Sequence, residues 1–193
     1  MAVHVVFETH SLTEDNERGR ATGWLEGRLS EHGRRLAEEL GERRRSDALA
    51  AVFVSDLARA VETAEIAFSG TTTPLLKDWR LRECNYGDLN GMPTEQLVEE
   101  RPLRLDTSYP GGESWREAVE RHRWFFSDLL HRHDGDSVLV IGHVSTWWAF
   151  DHLVGGEPLE QLVTSPHDWQ EGWQYTLDEH LAKPAPASGS ETP

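Results

Sequence analysis

The 193-residue sequence predicts an α/β domain of three layers, with a mostly parallel central sheet flanked by helices. Apolar, β-rich runs alternate along the chain with helical stripes, and two of these runs lead directly into a histidine. The first run ends at His10 and a later one, residues 137–142, ends at His143. Ligands of open α/β sheets bind at the carboxyl ends of the strands. We therefore expect both histidines at one ligand-binding edge.

The first half of the chain is predicted to contain three strands and two helices. Ser30 is a suitable N-cap for the first helix, and Ser55 or Asp56 for the second. Residues 12–29 are polar and interrupted by glycines, so they are expected to form a loop. In chain order the elements are the strand ending at His10, a helix to about residue 44, a strand over 49–54, a helix over 57–68 and a short strand over 73–76.

The second half begins with an irregular region, residues 78–112, that contains a short helix after Thr94. The longest helix follows over about 114–133, then the strand to His143, a helix capped by Ser145 that runs to about 154, and a last strand over 173–177. The Pro-, Ala- and Ser-rich tail is expected to be disordered. The predicted division is a domain over 1–181 and a disordered tail over 182–193.

Composition excludes several classes of protein and ligand. The net charge of −15 argues against nucleic acid or an anionic membrane as a partner. No apolar run is long enough to span a bilayer, which predicts a cytoplasmic protein. The single cysteine, Cys84, excludes an intrachain disulfide framework and a cysteine-rich zinc site. An anionic small substrate would require a locally basic pocket. A homodimer is one oligomeric state that the sequence leaves open.

Four side chains with chemical potential follow the predicted strands. His10 and His143 end two of them, Arg59 lies in the first turn after the second strand, and Glu83 follows the third. An arginine offers a planar set of donors suited to phosphate or carboxylate. The helix N-terminus after His143 favours an anion. Together these groups suit phosphoryl transfer through a phosphohistidine.

Several segments resemble motifs of the histidine phosphatase (phosphoglycerate mutase-like) superfamily. Residues 55–64 (SDLARAVETA) are similar to its second motif, and residues 81–91 (LRECNYGDLNG) to the segment that carries its proton donor. The resemblance also covers Asn16, residues 27–33 (GRLSEHG), residues 110–114 (PGGES) and residues 140–143 (VIGH). It implies a phosphoglycerate mutase-like fold and a small phosphorylated metabolite as substrate.

The resemblance also implies roles for individual residues. His10 would attack phosphorus, and His143 and Arg59 would hold the phosphoryl oxygens. Glu83 would protonate the leaving oxygen and then accept a proton from water. The implied substrate-binding residues are Thr9, Asn16, Arg82 and Val144. No metal and no cofactor is implied.

The two residues on either side of the predicted nucleophile depart from the family pattern. The family opens with Arg-His-Gly, whereas this chain has Thr9-His10-Ser11. Losing one charged donor costs on the order of 2–4 kcal/mol of transition-state stabilisation. Thr9 still offers one neutral hydrogen bond, and Arg18, Arg20 or Arg82 are candidates to restore the charge. In the closing motif, Val144 and Ser145 replace the usual glycines.

Other interpretations therefore stay open beside a metal-independent phosphatase. The chain could be a non-catalytic or repurposed member that binds a small anionic ligand, or a phosphoglycerate mutase-like phosphomutase. Hydrolysis of a non-phosphate substrate is a further option that no residue favours. Structural roles are also open, with Arg59 paired to Glu62 and Glu83 paired to Arg80 or Arg82.

Overall fold

A five-stranded sheet forms the centre of the computed structural model, which describes residues 1–165 and 170–182. The strand order is β3-β2-β4-β1-β5; β1 to β4 are parallel and β5 runs antiparallel to β1. The elements are β1 (Ala2–Thr9), α1 (Glu14–Glu17), α2 (Glu31–Arg44), β2 (Ala51–Ser55), α3 (Ala58–Ala67), β3 (Leu75–Asp78), α4 (Thr94–Glu100), α5 (Trp115–Arg132), β4 (Ser137–Gly142), α6 (Val144–Leu153), α7 (Leu159–Leu162) and β5 (Trp173–Asp178). Short 3-10 helices occupy residues 79–81, 87–89, 101–104 and 179–182.

Helices cover both faces of this sheet, which confirms the predicted three-layer α/β architecture. Alternate residues of β1 point to opposite faces, so Phe7 packs on the side of α5 and α6. There Phe126 and Phe150 stack with their rings 4.1 Å apart. On the other face, α2 and α3 cover the strands through small and branched apolar side chains. These are Leu40, Val52, Val54, Ala60, Ala64 and Ala67.

The register between β1 and β4 places the two strand-end histidines side by side. Thr9 lies opposite Gly142 in the parallel ladder. The backbone N–H of His10 donates to the carbonyl of Gly142 at 2.9 Å, so pairing continues to the first residue after β1. Because both strands end at the same level, His10 and His143 leave the sheet together. The expectation of a shared edge is confirmed.

Three local predictions about helix starts and loops are wrong. The polar stretch after Leu12 contains the one-turn helix α1, because Thr13 and Asn16 form a reciprocal capping box. Neither Ser55 nor Asp56 caps α3, whose N-cap is Leu57. The N-cap of α6 is His143 and not Ser145, which lies buried in the first turn of that helix.

Some expectations stay predictions. Ala182 ends a short 3-10 helix, and residues 183–193 of the predicted disordered tail lie outside the described residues. Within the described residues, no helix combines the length and apolar character needed to cross a bilayer. The cytoplasmic location and the homodimer are not addressed by this finding.

Candidate active site

His10 and His143 face each other with ring centroids 4.9 Å apart and ring planes inclined at 57°. The Nδ1 atom of His10 lies 2.7 Å from the carbonyl oxygen of Ser11. A carbonyl oxygen only accepts, so Nδ1 carries the proton and the lone pair lies on Nε2. Arg59 Nε donates to that Nε2 across 3.3 Å. The nitrogen suited to attack phosphorus is therefore beside a guanidinium.

His143 is almost completely buried and is held by two partners. Its Nδ1 lies 3.3 Å from Arg59 Nη2, which only donates, so Nδ1 is the accepting nitrogen. Its Nε2 therefore carries the proton and donates to Ser55 Oγ at 2.8 Å. Burial lowers the pKa of His143 well below 6.5, and the nearby charges of Arg59 and His10 lower it further. The ring is thus neutral near pH 7.

Arg59 joins the two histidines from the first turn of α3. Its side chain is only 2% exposed, and no carboxylate of the described residues lies within ion-pair distance. Instead Nη2 donates to the carbonyl of Gly23 at 2.9 Å and Nη1 to that of Leu25 at 3.5 Å. Burial lowers the pKa of Arg59, and the negative charge of Glu83 opposes that change. A buried cation without an ion-pair partner is suited to bind an anion.

Glu83 is placed by two backbone amides, and it forms no salt bridge with any residue that the structure describes. Its Oε1 accepts from the N–H of Cys84 at 2.7 Å and from the N–H of Ser145, in the first turn of α6, at 3.3 Å. Glu83 as a whole is 8% exposed. The alternative pairing with Arg80 or Arg82 is not found, because both arginines have other carboxylate partners.

A cavity of about 530 Å³ connects these groups. It is lined by His10, Arg59, Glu83 and His143, and also by three of the four predicted substrate-binding residues, namely Thr9, Asn16 and Val144. Asn16 serves as a turn residue as well, since its Oδ1 accepts from the N–H and hydroxyl of Thr13.

Arg82, the fourth predicted substrate-binding residue, does not line this cavity. Its Nε and Nη2 each donate to one carboxylate oxygen of Asp56 at 2.7 Å, and its guanidinium lies 4.6 Å from the ring of Trp24. Among the candidates to replace the missing arginine, Arg18 pairs with Glu14, whereas Arg20 does line the cavity. This arrangement favours Arg20 over the other two.

Two cavity arginines were not predicted as site residues. Arg43, near the C-terminus of α2, pairs with the buried Glu8, which precedes Thr9. Arg101 lies directly after α4, with its guanidinium 5.0 Å from the ring of Trp148 and its buried Nε lacking a hydrogen-bond partner. Nothing in the local sequence of Arg101 points to the cavity, because the fold of residues 78–112 brings it there.

Ser55 and residues 21–25 were also missed as parts of the site. Ser55 was assigned as a helix cap, but its hydroxyl is the acceptor for His143. Gly23 adopts a left-handed backbone with φ of 59°, and a side chain there would collide with Asn90. This conformation directs the Gly23 carbonyl toward Arg59. The glycine at position 23 is the feature of the sequence that indicates this left-handed backbone conformation.

The chain belongs to the histidine phosphatase superfamily (branch 1), whose family model matches residues 6–171. It is 32% identical over 149 residues to a probable phosphoglycerate mutase, GpmB, of Klebsiella pneumoniae, covering 73% of this chain and 69% of that protein. It is 27% identical to phosphoserine phosphatase 1 of Hydrogenobacter thermophilus, covering 73% and 71%.

Solved structures show the same fold. Bacillus stearothermophilus YhfR superposes with a TM-score of 0.77 at 28% identity, covering 88% of each chain. A mycobacterial glucosyl-3-phosphoglycerate phosphatase complexed with VO3 superposes with a TM-score of 0.68 at 27% identity, covering 84% of this chain and 85% of that one. The relatives include phosphatases and phosphoglycerate mutases, which supports a phosphatase-type enzyme in general.

The resemblance to the family implies no metal ion at this site. Across residues 1–165 and 170–182, no three His, Cys, Asp or Glu side chains are grouped so that they could hold a metal ion. The buried Cys84 next to Glu83 has its pKa raised well above the ordinary value by burial. Independence from metal stays a prediction.

Proposed function

We propose that this protein is a phosphatase that hydrolyses a small phosphomonoester through a phosphohistidine on His10, without a metal. The observation that carries the proposal is the tautomer of His10. Its Nδ1 donates to the Ser11 carbonyl, which leaves the Nε2 lone pair beside Arg59 and 4.9 Å ring to ring from His143. Nε2 is the atom that bonds to phosphorus.

The first step forms an Nε2–P bond at His10 and breaks the P–O bond to the alcohol. Arg59 lies beside His10 Nε2 and holds the phosphoryl oxygens, while His143, whose Nδ1 accepts from Arg59, keeps that guanidinium in place. Glu83 gives its proton to the leaving oxygen. Since Oε1 of Glu83 already accepts from two backbone amides, the transferred proton resides on Oε2.

The second step returns the enzyme to its starting state. Water attacks phosphorus and gives a proton to the Glu83 carboxylate, while the Nε2–P bond breaks and inorganic phosphate forms. Each turnover thus consumes one water and releases one alcohol and one phosphate. No redox change and no co-substrate is required.

Thr9 stands where the family has an arginine, and other arginines of the cavity supply the positive charge that is missing there. Arg101 is the best candidate for this charge. No carboxylate of the described residues lies within ion-pair distance of its guanidinium, and its buried Nε has no hydrogen-bond partner. An unneutralised cation in a cavity of a protein with net charge −15 favours an anionic ligand there. Arg20 lines the same cavity.

A phosphomutase is the second candidate, supported by the 32% identity to a protein named as a probable phosphoglycerate mutase. It would use the same phosphohistidine but return the phosphoryl group to a hydroxyl of the substrate. A coupled assay for phosphoglycerate isomerisation separates the two activities. Isomerisation faster than phosphate release would replace the phosphatase by the mutase.

The direct test is turnover by purified protein of p-nitrophenyl phosphate and a panel of metabolite phosphates, with and without EDTA. We expect phosphate release that EDTA does not change and that His10→Asn abolishes. His131→Asn is the matched control, because His131 is exposed on α5 away from the cavity. No turnover by the wild type together with tight phosphate binding would instead identify a non-catalytic binder.

A further inference from the structure

An ion pair between a buried arginine and a largely buried glutamate lies outside the cavity, directly behind Glu83. Arg121, on α5, is 5% exposed and pairs with Glu113, which precedes that helix by two residues. Neither residue lines the cavity, so neither touches a substrate there. Burying two charges is expensive, and a buried pair is weak evidence for stability alone. The contacts of the pair suggest what it does.

Arg121 holds the backbone on both sides of the proposed proton donor. Its Nη1 donates to the carbonyls of Arg80 at 2.7 Å and Arg82 at 2.9 Å, and its Nη2 to the carbonyl of Glu83 at 3.2 Å. The first two carbonyls lie at the C-terminal end of the short 3-10 helix over residues 79–81, where helix carbonyls have no partner within the helix. One guanidinium thus fixes three peptide groups that precede or include Glu83.

Glu113 completes the clamp on the far side of Glu83. Its Oε1 accepts from both Arg121 and the N–H of Asn85, the latter at 3.0 Å. Its own N–H donates to the carbonyl of Asn85 at 3.0 Å. The backbone from Arg80 to Asn85 is therefore fixed from both ends by one ion pair.

We propose that Arg121, oriented by Glu113, is a positioning residue for Glu83 and sets the distance from its carboxyl group to the leaving oxygen. A proton donor acts only within hydrogen-bond reach of the oxygen that it protonates. A displacement of about 1 Å costs on the order of 100-fold in rate. This inference rests on the proposed role of Glu83 as proton donor.

The test compares two leaving groups, because only a poor one needs the proton. Arg121→Lys keeps the positive charge but cannot reach three carbonyls with one ammonium group. We expect kcat/KM to fall about 10- to 100-fold for an alkyl phosphate such as glycerol phosphate. For p-nitrophenyl phosphate, whose leaving group departs without protonation, we expect a fall of less than about threefold. Glu83→Gln should show the same selectivity more strongly.

The matched control is Arg123→Lys on the same helix. Arg123 pairs with the exposed Glu120 and forms no hydrogen bond or ion pair with residues 80–85. It should leave both kcat/KM values unchanged. Glu113→Gln, which keeps the shape of the side chain and weakens the pair, is the second variant and serves if Arg121→Lys does not fold. Its effect should have the same selectivity for the alkyl phosphate.

Hydrogen exchange of the Glu83, Cys84 and Asn85 amides provides a readout that does not need activity. We expect faster exchange in Arg121→Lys and wild-type exchange in Arg123→Lys. Unchanged exchange, or an equal fall of kcat/KM for both substrates, would overturn the positioning role. If Glu83→Gln itself lacked leaving-group selectivity, the proposed function of Glu83 would fail, while the exchange data would still decide whether the clamp exists.

Discussion

Arg59→Met removes a guanidinium that contacts both histidines. Arg59 lies 3.3 Å from His10 Nε2 and 3.3 Å from His143 Nδ1. Methionine has a similar length and no charge, so the packing volume is largely kept. The substitution therefore tests the electrostatic contribution of this side chain rather than its shape.

The expected loss follows from the number of donors that Arg59 offers to a phosphoryl group. Removing one preorganised donor from an anion-stabilising site lowers kcat by about 100- to 1000-fold, or roughly 2.7–4 kcal/mol. Phosphate binding should be lost as well. A ligand at 100 times its Kd stabilises a protein by about 2.7 kcal/mol, and each kcal/mol raises Tm by about 2–4 °C at this chain length. Saturating phosphate should thus raise the wild-type Tm by about 5–11 °C.

The assay is a thermal melt with and without phosphate, run beside kcat/KM for p-nitrophenyl phosphate. Arg59→Met should lose most of the phosphate-dependent rise in Tm and most of the activity. Arg35→Met is the control, because Arg35 is exposed and its ion pair among the described residues is with Glu31 in the same helix. The reasoning would be refuted by an Arg59→Met protein that keeps the wild-type rise in Tm, or activity within about threefold of wild type.

Three further predictions address charge, pH and a buried hydrogen bond. Arg101→Met should lower kcat/KM about 10- to 100-fold. Arg104→Met should not, because Arg104, on the same 3-10 helix as Arg101, is already paired with Glu100. Burial lowers the pKa of His122 and His143 well below 6.5. Below pH 6.5 the unfolded chain therefore binds protons that the folded protein does not, and the free energy of unfolding falls by about 1.4 kcal/mol per pH unit for each histidine. Urea unfolding of His122→Gln should show a shallower loss toward acid than wild type; equal slopes would contradict the assignment. Ser55→Ala leaves His143 Nε2–H unpaired, and should lower the free energy of unfolding by about 1–3 kcal/mol in the same measurement.

Those parts of the site that are fixed by strand ends could be predicted from the sequence. An apolar run with the length of a strand predicts where the strand ends, and a histidine directly after it must lie at the carboxyl end of the sheet. The parallel register then brings His10 and His143 together without further information. Arg59 was placed correctly in a first helical turn for the same reason, since its position depends on the end of β2.

The partners of charged side chains could not be predicted in this way. Arg82 and Arg101 are both arginines in irregular segments, yet one is neutralised by Asp56 and the other lines the cavity. The difference arises from which elements pack beside them, and no local pattern encodes that. Ser55 illustrates the same limit, because a serine after a strand suits a helix cap as well as it suits an acceptor for a distant histidine.

The measurement that tests the central claim most directly is a search for phosphate bound covalently to His10. The wild-type protein is mixed with p-nitrophenyl phosphate, whose leaving group needs no proton from Glu83, quenched in alkali and examined by mass spectrometry of its peptides. We predict an acid-labile, base-stable phosphoryl group on His10 that is absent from His10→Asn and accumulates in Glu83→Gln, where no base remains to activate water. Phosphate release with no phosphoryl group on His10 in either protein would contradict the account.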